Sequence, residues 1–571
     1  MTRSPRAATA ATSSRGHRVD TSRLLIAILL SLGLVFLWQE LMLKFYPPPK
    51  PAAQPSATAS GTMQAASAPS GAASTTPVIA PPIAEALPAA VHSPEKLIEV
   101  DTALYHATFT THGARLKSYL LKHYREKATP DSAPYEMVRA SGTDELPLGI
   151  IVDENGKPAD DRDLDYATNM PDHIELAGSQ NATVNLSTKT ADGAIIEKNF
   201  TFVGDKYAFD MMVSINATKP PLSIGLAMME PLTERGEGYY DIPALQADVA
   251  DKVLNENEKS LKKGIAPITG RLAFVGFGDR YFLTAMMPQS PGAGTLAMEF
   301  LGSEASARML FPNTSNMTMR IYMGPKKLED LEAVSTVLTK SINFGWAGIL
   351  AIAFLRILKV FHVVVPNWGW DIIVMTIALR ILMLPMSIRG QRSMIRMQRL
   401  QPQMERLRAQ FKDDSERLNK EMVDLYKRNH VNPLGGCAPM IIQLPVFIGL
   451  YEALLNAVDL RHAPFMLWMK DLSAPDCFPI AGMPRLPFMH CQGIPVLVLL
   501  MGVSAYFQQA MTPTQPDPNQ QRMMMLSPIL FTIFFVNFPA GLSLYYFASN
   551  ILGVIQQFVL NREFKQVAPA S

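Results

Sequence analysis

An arginine stands in the middle of a long apolar run. Arg380 lies in "MTIALRILMLP", twelve residues after Trp368 and nine before Arg389. In a helix it would lie about 18 Å from the aromatic end and about 14 Å from the basic end, whereas its side chain is only about 7 Å long. Snorkelling to the headgroups would need a thinned membrane, and a cation at this depth costs about 2.5 to 3.5 kcal/mol. Arg380 is therefore predicted to face water or an anion.

Further polar residues lie in apolar helical text. Thr376 is four residues before Arg380 and shares its helical face. The others in the last spans are Gln443, Gln508, Gln509, Tyr545, Tyr546, Ser549, Asn550, Gln556 and Gln557. We predict a groove lined by Arg380, Thr376, Gln443, Gln508, Tyr545, Tyr546 and Asn550. The alternative for each is a helix-to-helix hydrogen bond or an interfacial aromatic ring.

Several kinds of chemistry are disfavoured. The chain contains no phosphate-binding Gly-x-x-x-x-Gly-Lys-Ser/Thr loop, no HExxH and no Gly-x-Ser-x-Gly, so neither an ATP-driven pump nor a common hydrolase is indicated. Its three cysteines form no CxxC pair, and no metal or other cofactor is predicted. His106, His112 and His123 have no paired acid or ligand spacing and are interpreted as structural. No Asp or Glu falls deep in the last five predicted spans except Glu452, near an outer helix end, which argues against a proton relay.

Hydropathy divides the chain. With 48% hydrophobic residues and a net charge of +2, its long apolar windows indicate a polytopic membrane protein. Residues 24–43 are predicted to be an uncleaved anchor after a basic, cytoplasmic segment, 1–23. Residues 47–94, rich in Pro, Ala, Ser and Thr, are predicted to be a flexible tether. In 95–340, alternating runs and the Gly204-Asp205 turn predict an antiparallel β-sandwich.

The distribution of positive charge sets the predicted topology. Residues 389–430 are rich in Lys and Arg, and such short loops stay in the cytoplasm. Parity then makes 343–365 an amphipathic helix at the outer interface, although hydropathy alone could make it a span. The core, 366–560, is predicted to span at 368–388, 435–455, 493–511, 523–538 and 540–560. With the anchor this gives six spans, and both the N-terminus and the tail, 561–571, are cytoplasmic.

The basic loop has a helical seam. Met394, Met397, Leu400, Met404, Leu407 and Phe411 recur at spacings of three and four, and Leu418, Met422 and Leu425 resume the pattern after "KDDS". This predicts a helical hairpin. Most of the seam is interpreted as packing between the two helices, but Met394, Met397 and Met404 could also meet varied apolar partners. Arg396 and Arg399 would then face anionic lipid or RNA.

Five motifs together resemble the YidC-type membrane protein insertases, relatives of the Oxa and Alb proteins. They are "NWGWDIIVMTIALRILMLP", "LQPQMERLRAQFKDD", "VNPLGGCAPMIIQLPVFIGLYEAL", "LRHAPFMLWMKDLSAPD" and "FFVNFPAGLSLYYFASNILGVIQQ". The N-terminal anchor, tether and outer domain resemble the long Gram-negative form. The resemblance implies a periplasmic β-supersandwich and a five-helix membrane core. It also implies a hydrophilic groove, open to the cytoplasm and lipid, that contains Arg380.

The resemblance implies an inner-membrane insertase and chaperone, not an enzyme. Expected partners are nascent membrane proteins, lipid, the ribosome, a Sec-type translocon and the signal recognition machinery. A wet groove would shorten the dry path of a client's polar tail, and Arg380 would attract an acidic one. One alternative is a small-solute carrier with Arg380 as counter-ion, for which no inverted repeat is found. Another is an outer-domain scaffold or chaperone that helps membrane proteins fold without translocating them.

The resemblance does not supply one expected feature, a disulfide between Cys477 and Cys491. Both residues fall in the predicted external loop, 456–492, which in a Gram-negative cell faces an oxidising compartment. Cys437 lies near the cytoplasmic start of its helix. The alternative is two separate thiols packed among the aromatic residues of the loop.

Overall fold

The computed structural model describes most of the chain after residue 84. The described residues are 85–87, 94–129, 131–139, 146–154, 157–232, 243–290, 292–301, 304–412, 414–431, 438–480, 482, 489, 492–512 and 518–566. The predicted cytoplasmic N-terminus, the anchor at 24–43 and most of the tether lie outside them.

Twenty-one strands are described. They are β1 Glu85–Ala86, β2 Leu97–Thr102, β3 Tyr105–Thr110, β4 Arg115–Arg125, β5 Pro134–Glu136, β6 Gly149–Glu154, β7 Lys157–Asp160, β8 His173–Leu176, β9 Asn181–Lys189, β10 Ile195–Val203, β11 Ala208–Asn216, β12 Ser223–Pro231, β13 Ala244–Val249, β14 Lys252–Glu256, β15 Ile268–Gly278, β16 Phe282–Pro288, β17 Ala293–Leu301, β18 Glu304–Pro312, β19 Asn316–Pro325, β20 Phe478–Pro479 and β21 Gly493–Ile494.

Two sheets pack face to face between residues 85 and 325. The larger, fourteen-stranded sheet runs in the order β1-β7-β6-β12-β18-β17-β15-β16-β19-β11-β10-β9, with β13 and β14 added beside β15. The smaller runs β5-β4-β3-β2-β8. Phe109 of β3 meets Phe200, Phe202 and Phe209 of the larger sheet, with ring centroids 4.9, 5.4 and 6.1 Å apart. The predicted β domain is therefore present, and these rings lie in its core.

The predicted turn at Gly204-Asp205 is confirmed. Strands β10 and β11 pair antiparallel on either side of it. A Cβ atom on Gly204 would lie 2.8 Å from the carbonyl oxygen of Gly178, so the close approach of two backbones requires glycine. Alternation along these strands predicted the buried face because successive side chains point to opposite sides of a sheet.

The predicted tether is too long at its C-terminal end. Glu85 and Ala86 pair parallel with Ala159 and Asp160 of β7, and the Leu87 amide donates to the Asp160 carbonyl at 2.7 Å. Leu87 is buried because its apolar side chain fills the edge of the core. The average composition of residues 47–94 does not reveal so short a strand.

Ten α-helices are described. They are α1 Glu258–Leu261, α2 Leu328–Val334, α3 Gly348–Val364, α4 Trp368–Arg399, α5 Gln401–Gln410, α6 Ser415–Arg428, α7 Ala438–Asn456, α8 Val496–Met511, α9 Pro518–Phe535 and α10 Ala540–Gln566. By length and composition, two helical stretches are able to cross a membrane, 345–364 and Trp368–Arg399. Three shorter apolar helical segments are 442–456, 496–511 and 524–535.

Helix α4 continues past the end of the span predicted at residue 388. Its start is capped by Asn367, whose side-chain oxygen accepts from the amides of Gly369 at 3.0 Å and Trp370 at 3.3 Å. No break follows Ile388, so the first arm of the predicted hairpin begins as the end of α4. The predicted break at "KDDS" is present, because α5 ends at Gln410 and Asp414 caps α6 through the Arg417 amide.

Helix α3 has one packed face. Ala351, Phe354 and Leu358 are buried, and the helix contacts α4 and α7. On another side Arg356 and Lys359 pair with Glu332 and Glu329 of α2. Apolar residues such as Ile349 and Val363 remain exposed. This distribution is typical of an amphipathic helix, and the placement of 343–365 at the outer interface stays a prediction.

Candidate functional site

The Arg380 side chain lies against the facing helix α10, where Ser549 forms what we call its seat. Its Nε donates to the Ser549 Oγ at 3.1 Å, and its Nη2 donates to the same oxygen at 2.8 Å and to the Ser549 carbonyl at 2.7 Å. These acceptors are neutral, and within the described part of the chain Arg380 has no ion pair. The side chain is only partly exposed. Its positive charge is thus held in place without being neutralised.

Three more predicted residues lie beside this seat. A Cβ on Gly553 would lie 3.3 Å from Arg380 Nη2 and would overlap the Gln508 amide nitrogen, so Gln508 of α8 and Arg380 approach the same point on α10. Gln443 of α7 donates to the Tyr545 hydroxyl at 2.8 Å. Tyr545 precedes Ser549 by one helical turn, on the same face. The structure therefore brings Arg380, Gln508, Gln443 and Tyr545 together across four helices.

The other predicted groove residues make packing contacts. Thr376 is fully buried and donates to the carbonyl of Ile372 in its own helix at 2.6 Å. Asn550 is buried and donates to the Met501 carbonyl and the Ser504 hydroxyl of α8, each at 3.2 Å. Tyr546 packs its ring against Phe447 and Phe535. In the structure Asn550 fits the alternative considered from the sequence, a hydrogen bond between helices, whereas Thr376 bonds within its own helix.

The polar interface between helices extends below Arg380. Gln556 of α10 donates to the Ser387 hydroxyl of α4 at 2.8 Å, and Gln391 of α4 bonds to Gln557. Gln557 also donates to the Met511 carbonyl of α8 at 3.1 Å. This arrangement continues the polar seam from Arg380 toward the basic end of α4.

The predicted outer loop closes over the helices. The amides of Ala540 and Gly541, at the start of α10, donate to the carbonyls of Ala474 and Leu472 at 2.7 and 2.8 Å. Asp476 accepts from the Leu497 amide at 2.5 Å and from the Trp468 indole at 2.8 Å, so it caps α8. Burial raises the pKa of the Asp476 carboxyl above its ordinary value. The loop therefore fixes the starts of two helices.

One carboxylate was missed from the sequence. Asp371, in the first turn of α4, is fully buried and bonds to the His362 Nδ1 of α3 at 2.7 Å. The His362 ring stacks on Trp368 with centroids 3.8 Å apart. Because Asp371 lies in the first helical turn, it does not alter the prediction about carboxylates deep in the spans. An acid in the first turn after an Asn cap is a signal that could have found it.

The prediction that His106 and His112 of the β domain have no paired acid is wrong. His112 pairs with Asp165, which is 53 residues later in the chain, at 2.9 Å, and His106 lies 3.5 Å from Asp101, its partner on the neighbouring strand. Strand pairing brings these acids close. No group of three or more potential metal ligands occurs in the residues the structure covers.

The hairpin buries two of its predicted contact methionines. Met397 and Met404 form a small core with Leu400 and Val431, against which Met422, Leu425 and Tyr426 pack. Met394 is partly exposed, whereas Arg396 and Arg399 are exposed. Helical spacing cannot distinguish an apolar stripe used inside the hairpin from one left open. Met397 and Met404 therefore reach a partner only if the hairpin opens.

Cys477 is in a disulfide bond. It immediately precedes β20, which pairs with β21, and a Cβ on Gly493 would lie 2.9 Å from the Cys477 Sγ. The partner predicted from the sequence, Cys491, lies outside the described residues, as does Cys437.

Comparison with known proteins gives one consistent result. A family model described as YidC periplasmic domain matches residues 97–357, and one described as 60Kd inner membrane protein matches 360–567. A membrane protein insertase YidC from Syntrophus aciditrophicus (strain SB) is 36% identical over 573 residues, 94% of this chain and 99% of the relative. Another, from Geotalea daltonii (strain DSM 22248 / JCM 15807 / FRC-32), is 34% identical, covering 81% of this chain and 86% of the relative.

A solved structure is also similar. It is titled "Active YidC insertase crystal structure with the first transmembrane domain resolved", and it covers 83% of this chain and 94% of its own at 17% identity with a TM-score of 0.34.

Proposed function

This chain belongs to the YidC family of membrane protein insertases, and we propose that it inserts its clients through the polar seam around Arg380. The family is that of bacterial inner-membrane insertases with a periplasmic domain, and not of enzymes. The comparisons do not support the small-solute carrier. The single observation that carries the mechanism is a guanidinium deep in α4 whose hydrogen-bond acceptors are all neutral.

The mechanism follows from the energetics of charge in lipid. A client must move a polar tail outward and release an apolar helix sideways. A charged tail residue meets a barrier of several kcal/mol at the bilayer centre, and an uncompensated cation lowers it for an acidic tail. Gln508, Gln443 and Tyr545 supply further polar groups near the seat. The apolar segment then enters lipid, where each Leu or Ile gains about 0.3 to 0.6 kcal/mol.

The remaining parts of the proposal concern topology and partners. We assign six spans with both termini in the cytoplasm, and the basic hairpin at 389–430 to the cytoplasmic side, because positive loops are retained there. The hairpin would receive clients from the ribosome or signal recognition machinery through its exposed arginines, Arg396 and Arg399. Cooperation with a Sec-type translocon is part of the same proposal.

The experiment compares two clients that differ only in the charge of the outer tail. Proteoliposomes holding wild-type protein or Arg380→Ala receive single-span clients with acidic or neutral tails during cell-free synthesis. We expect Arg380→Ala to lower insertion of the acidic client more than that of the neutral one. Arg380→Lys should retain part of this preference, because it keeps the charge but not the planar fork. An unchanged acidic-to-neutral ratio in Arg380→Ala, at matched protein levels, contradicts the attraction role.

A further inference from the structure

The seat of Arg380 uses one edge of the guanidinium. Nε and Nη2 both bond to Ser549, through its hydroxyl and its carbonyl. The other amino group, Nη1, donates to no residue in the described segments. An arginine fork offers five N–H donors in a fixed plane. Fixing one edge on α10 therefore determines where the remaining donors point.

Glycine at position 553 makes this seat possible. In a helix the carbonyl of residue 549 normally accepts from the amide of residue 553, and the side chain of residue 553 helps to shield that carbonyl. A Cβ on Gly553 would lie only 3.3 Å from Arg380 Nη2 and would overlap the Gln508 amide nitrogen. The absence of a side chain thus leaves the Ser549 carbonyl open to a second donor. Helix propensity alone would favour alanine at this position by about 1 kcal/mol.

Ser549 and Ser527 use their hydroxyls differently. Ser549 is buried, yet its hydroxyl accepts two bonds from a cation on a different helix. The Ser527 hydroxyl, in contrast, donates to the Met524 carbonyl within its own helix at 2.8 Å. A hydroxyl that only stabilised α10 would need no partner on α4.

We propose that Ser549 is a positioning residue that holds the Arg380 fork so that its Nη1 edge is presented to the acidic part of a client tail. Gly553 gives the fork access to the Ser549 carbonyl. Because Ser549 is neutral, it orients the charge without cancelling it. This inference rests on the proposed role of Arg380. It adds that selectivity for acidic tails depends on the orientation of the guanidinium as well as on its charge.

The test uses the same pair of clients, with acidic and neutral outer tails, in proteoliposomes. Ser549→Ala should lower the acidic-to-neutral insertion ratio roughly three- to tenfold, the range expected for losing one ordinary hydrogen bond. Ser549→Thr keeps the hydroxyl and should restore most of the ratio. Ser527→Ala is the matched control and should leave it unchanged. Gly553→Ala should act like Ser549→Ala, although helix propensity alone predicts a more stable helix.

A double-mutant cycle separates the possible failures. In the Arg380→Ala background, Ser549→Ala should produce no further change of the ratio, because it acts through Arg380. If Arg380→Ala alters the ratio and Ser549→Ala does not, the positioning role is overturned while the proposed function stands. If Arg380→Ala leaves the ratio unchanged, both fail. Ser549→Ala could also lower insertion of both clients equally, with no recovery in Ser549→Thr. Ser549 would then be purely structural, and the positioning role would again be overturned.

Discussion

Arg380 and Lys326 are both cations that neutral oxygen atoms hold in place. Arg380 donates to Ser549. In the β domain the Lys326 Nζ donates to the carbonyl of Asp279 at 2.7 Å and to that of Ser341 at 3.3 Å. It also donates to the Gln246 side chain at 3.0 Å. Such contacts satisfy the donors of a cation without a full opposite charge. The penalty of burying the Lys326 charge therefore shows in the pKa of its ammonium group.

Lys326 predicts a pH dependence of stability. Burial lowers its pKa to about 8, whereas the ordinary value is 10.5. Between these values the unfolded chain binds the proton and the folded chain does not, so this residue makes stability rise with pH. Below pH 8 both states are protonated and its contribution is constant. Relative to Lys326→Met, the wild-type protein should gain about 1 to 2 kcal/mol of unfolding free energy from pH 7.5 to 9.5.

The measurement is the unfolding free energy of the β domain in the full chain, followed at several pH values for both proteins. Lys198 is also a buried lysine with its pKa lowered to about 8, but it is present in both proteins and cancels in the difference. Lys206→Met, at an exposed position, is the matched control and should keep the wild-type slope. Parallel pH curves for wild type and Lys326→Met would show that Lys326 stays protonated throughout.

At the scale of elements, a two-stranded ribbon carries the cysteine. Strands β20 and β21 pair through Phe478 with Ile494 and Pro479 with Gly493, and Cys477 lies at the start of this ribbon. So short a ribbon has little intrinsic stability. A covalent link across it would hold the loop whose Asp476 caps α8.

A bond between Cys477 and Cys491 is our second prediction. Closing a loop of about fifteen residues stabilises a protein by roughly 3 kcal/mol in the chain-entropy account. Denatured protein should accept one thiol label before reduction and three after, because the chain has three cysteines. Cys491→Ser should raise the count before reduction to two, since it frees Cys477. Three labels before reduction would mean that the isolated protein contains no bond.

Local pattern predicted many elements but few of their contacts. The period of two along β10 and β11 and the apolar run of α4 were readable because they repeat within the segment itself. The burial of Met404 and the pairing of Leu87 depend on neighbours that the segment does not encode. Arg380 could be identified by its depth. Its particular partner, Ser549, is 169 residues away along the chain.

At the scale of the whole molecule, one arginine joins the β domain to the outer loop. Arg461 donates to the carbonyls of Arg125 at 2.7 Å and Glu126 at 3.2 Å, at the end of β4. Its guanidinium carbon also lies 5.1 Å from the Tyr135 ring centroid and 5.3 Å from that of Phe282. Nearby, Asp459 pairs with Lys327 at 3.5 Å and with Lys359 of α3 at 3.7 Å.

These contacts connect distant parts of the chain. The loop that carries Arg461 also holds the starts of α8 and α10 through Asp476, Leu472 and Ala474. Sequence could separate the β domain from the helices because composition and period change between them. It could not show this link, because a lone arginine in an irregular loop has no pattern.

The last prediction is that Arg461→Ala releases the outer loop from the β domain. The variant loses two hydrogen bonds and two cation–ring contacts, together roughly 2 to 3 kcal/mol, or about a 30- to 160-fold change in a local opening equilibrium. Hydrogen exchange in the full chain should quicken at residues 457–472 and at 125–136 together, while the core strands β10 and β11 keep their protection. Arg320→Ala is the matched control, since it removes an arginine paired with Asp210 within the β domain. If both segments of Arg461→Ala exchange at the wild-type rate, other contacts hold the loop. If Arg320→Ala shows the same acceleration, the substitution of an arginine loosens the β domain in general, and the effect is not specific to the contact of Arg461.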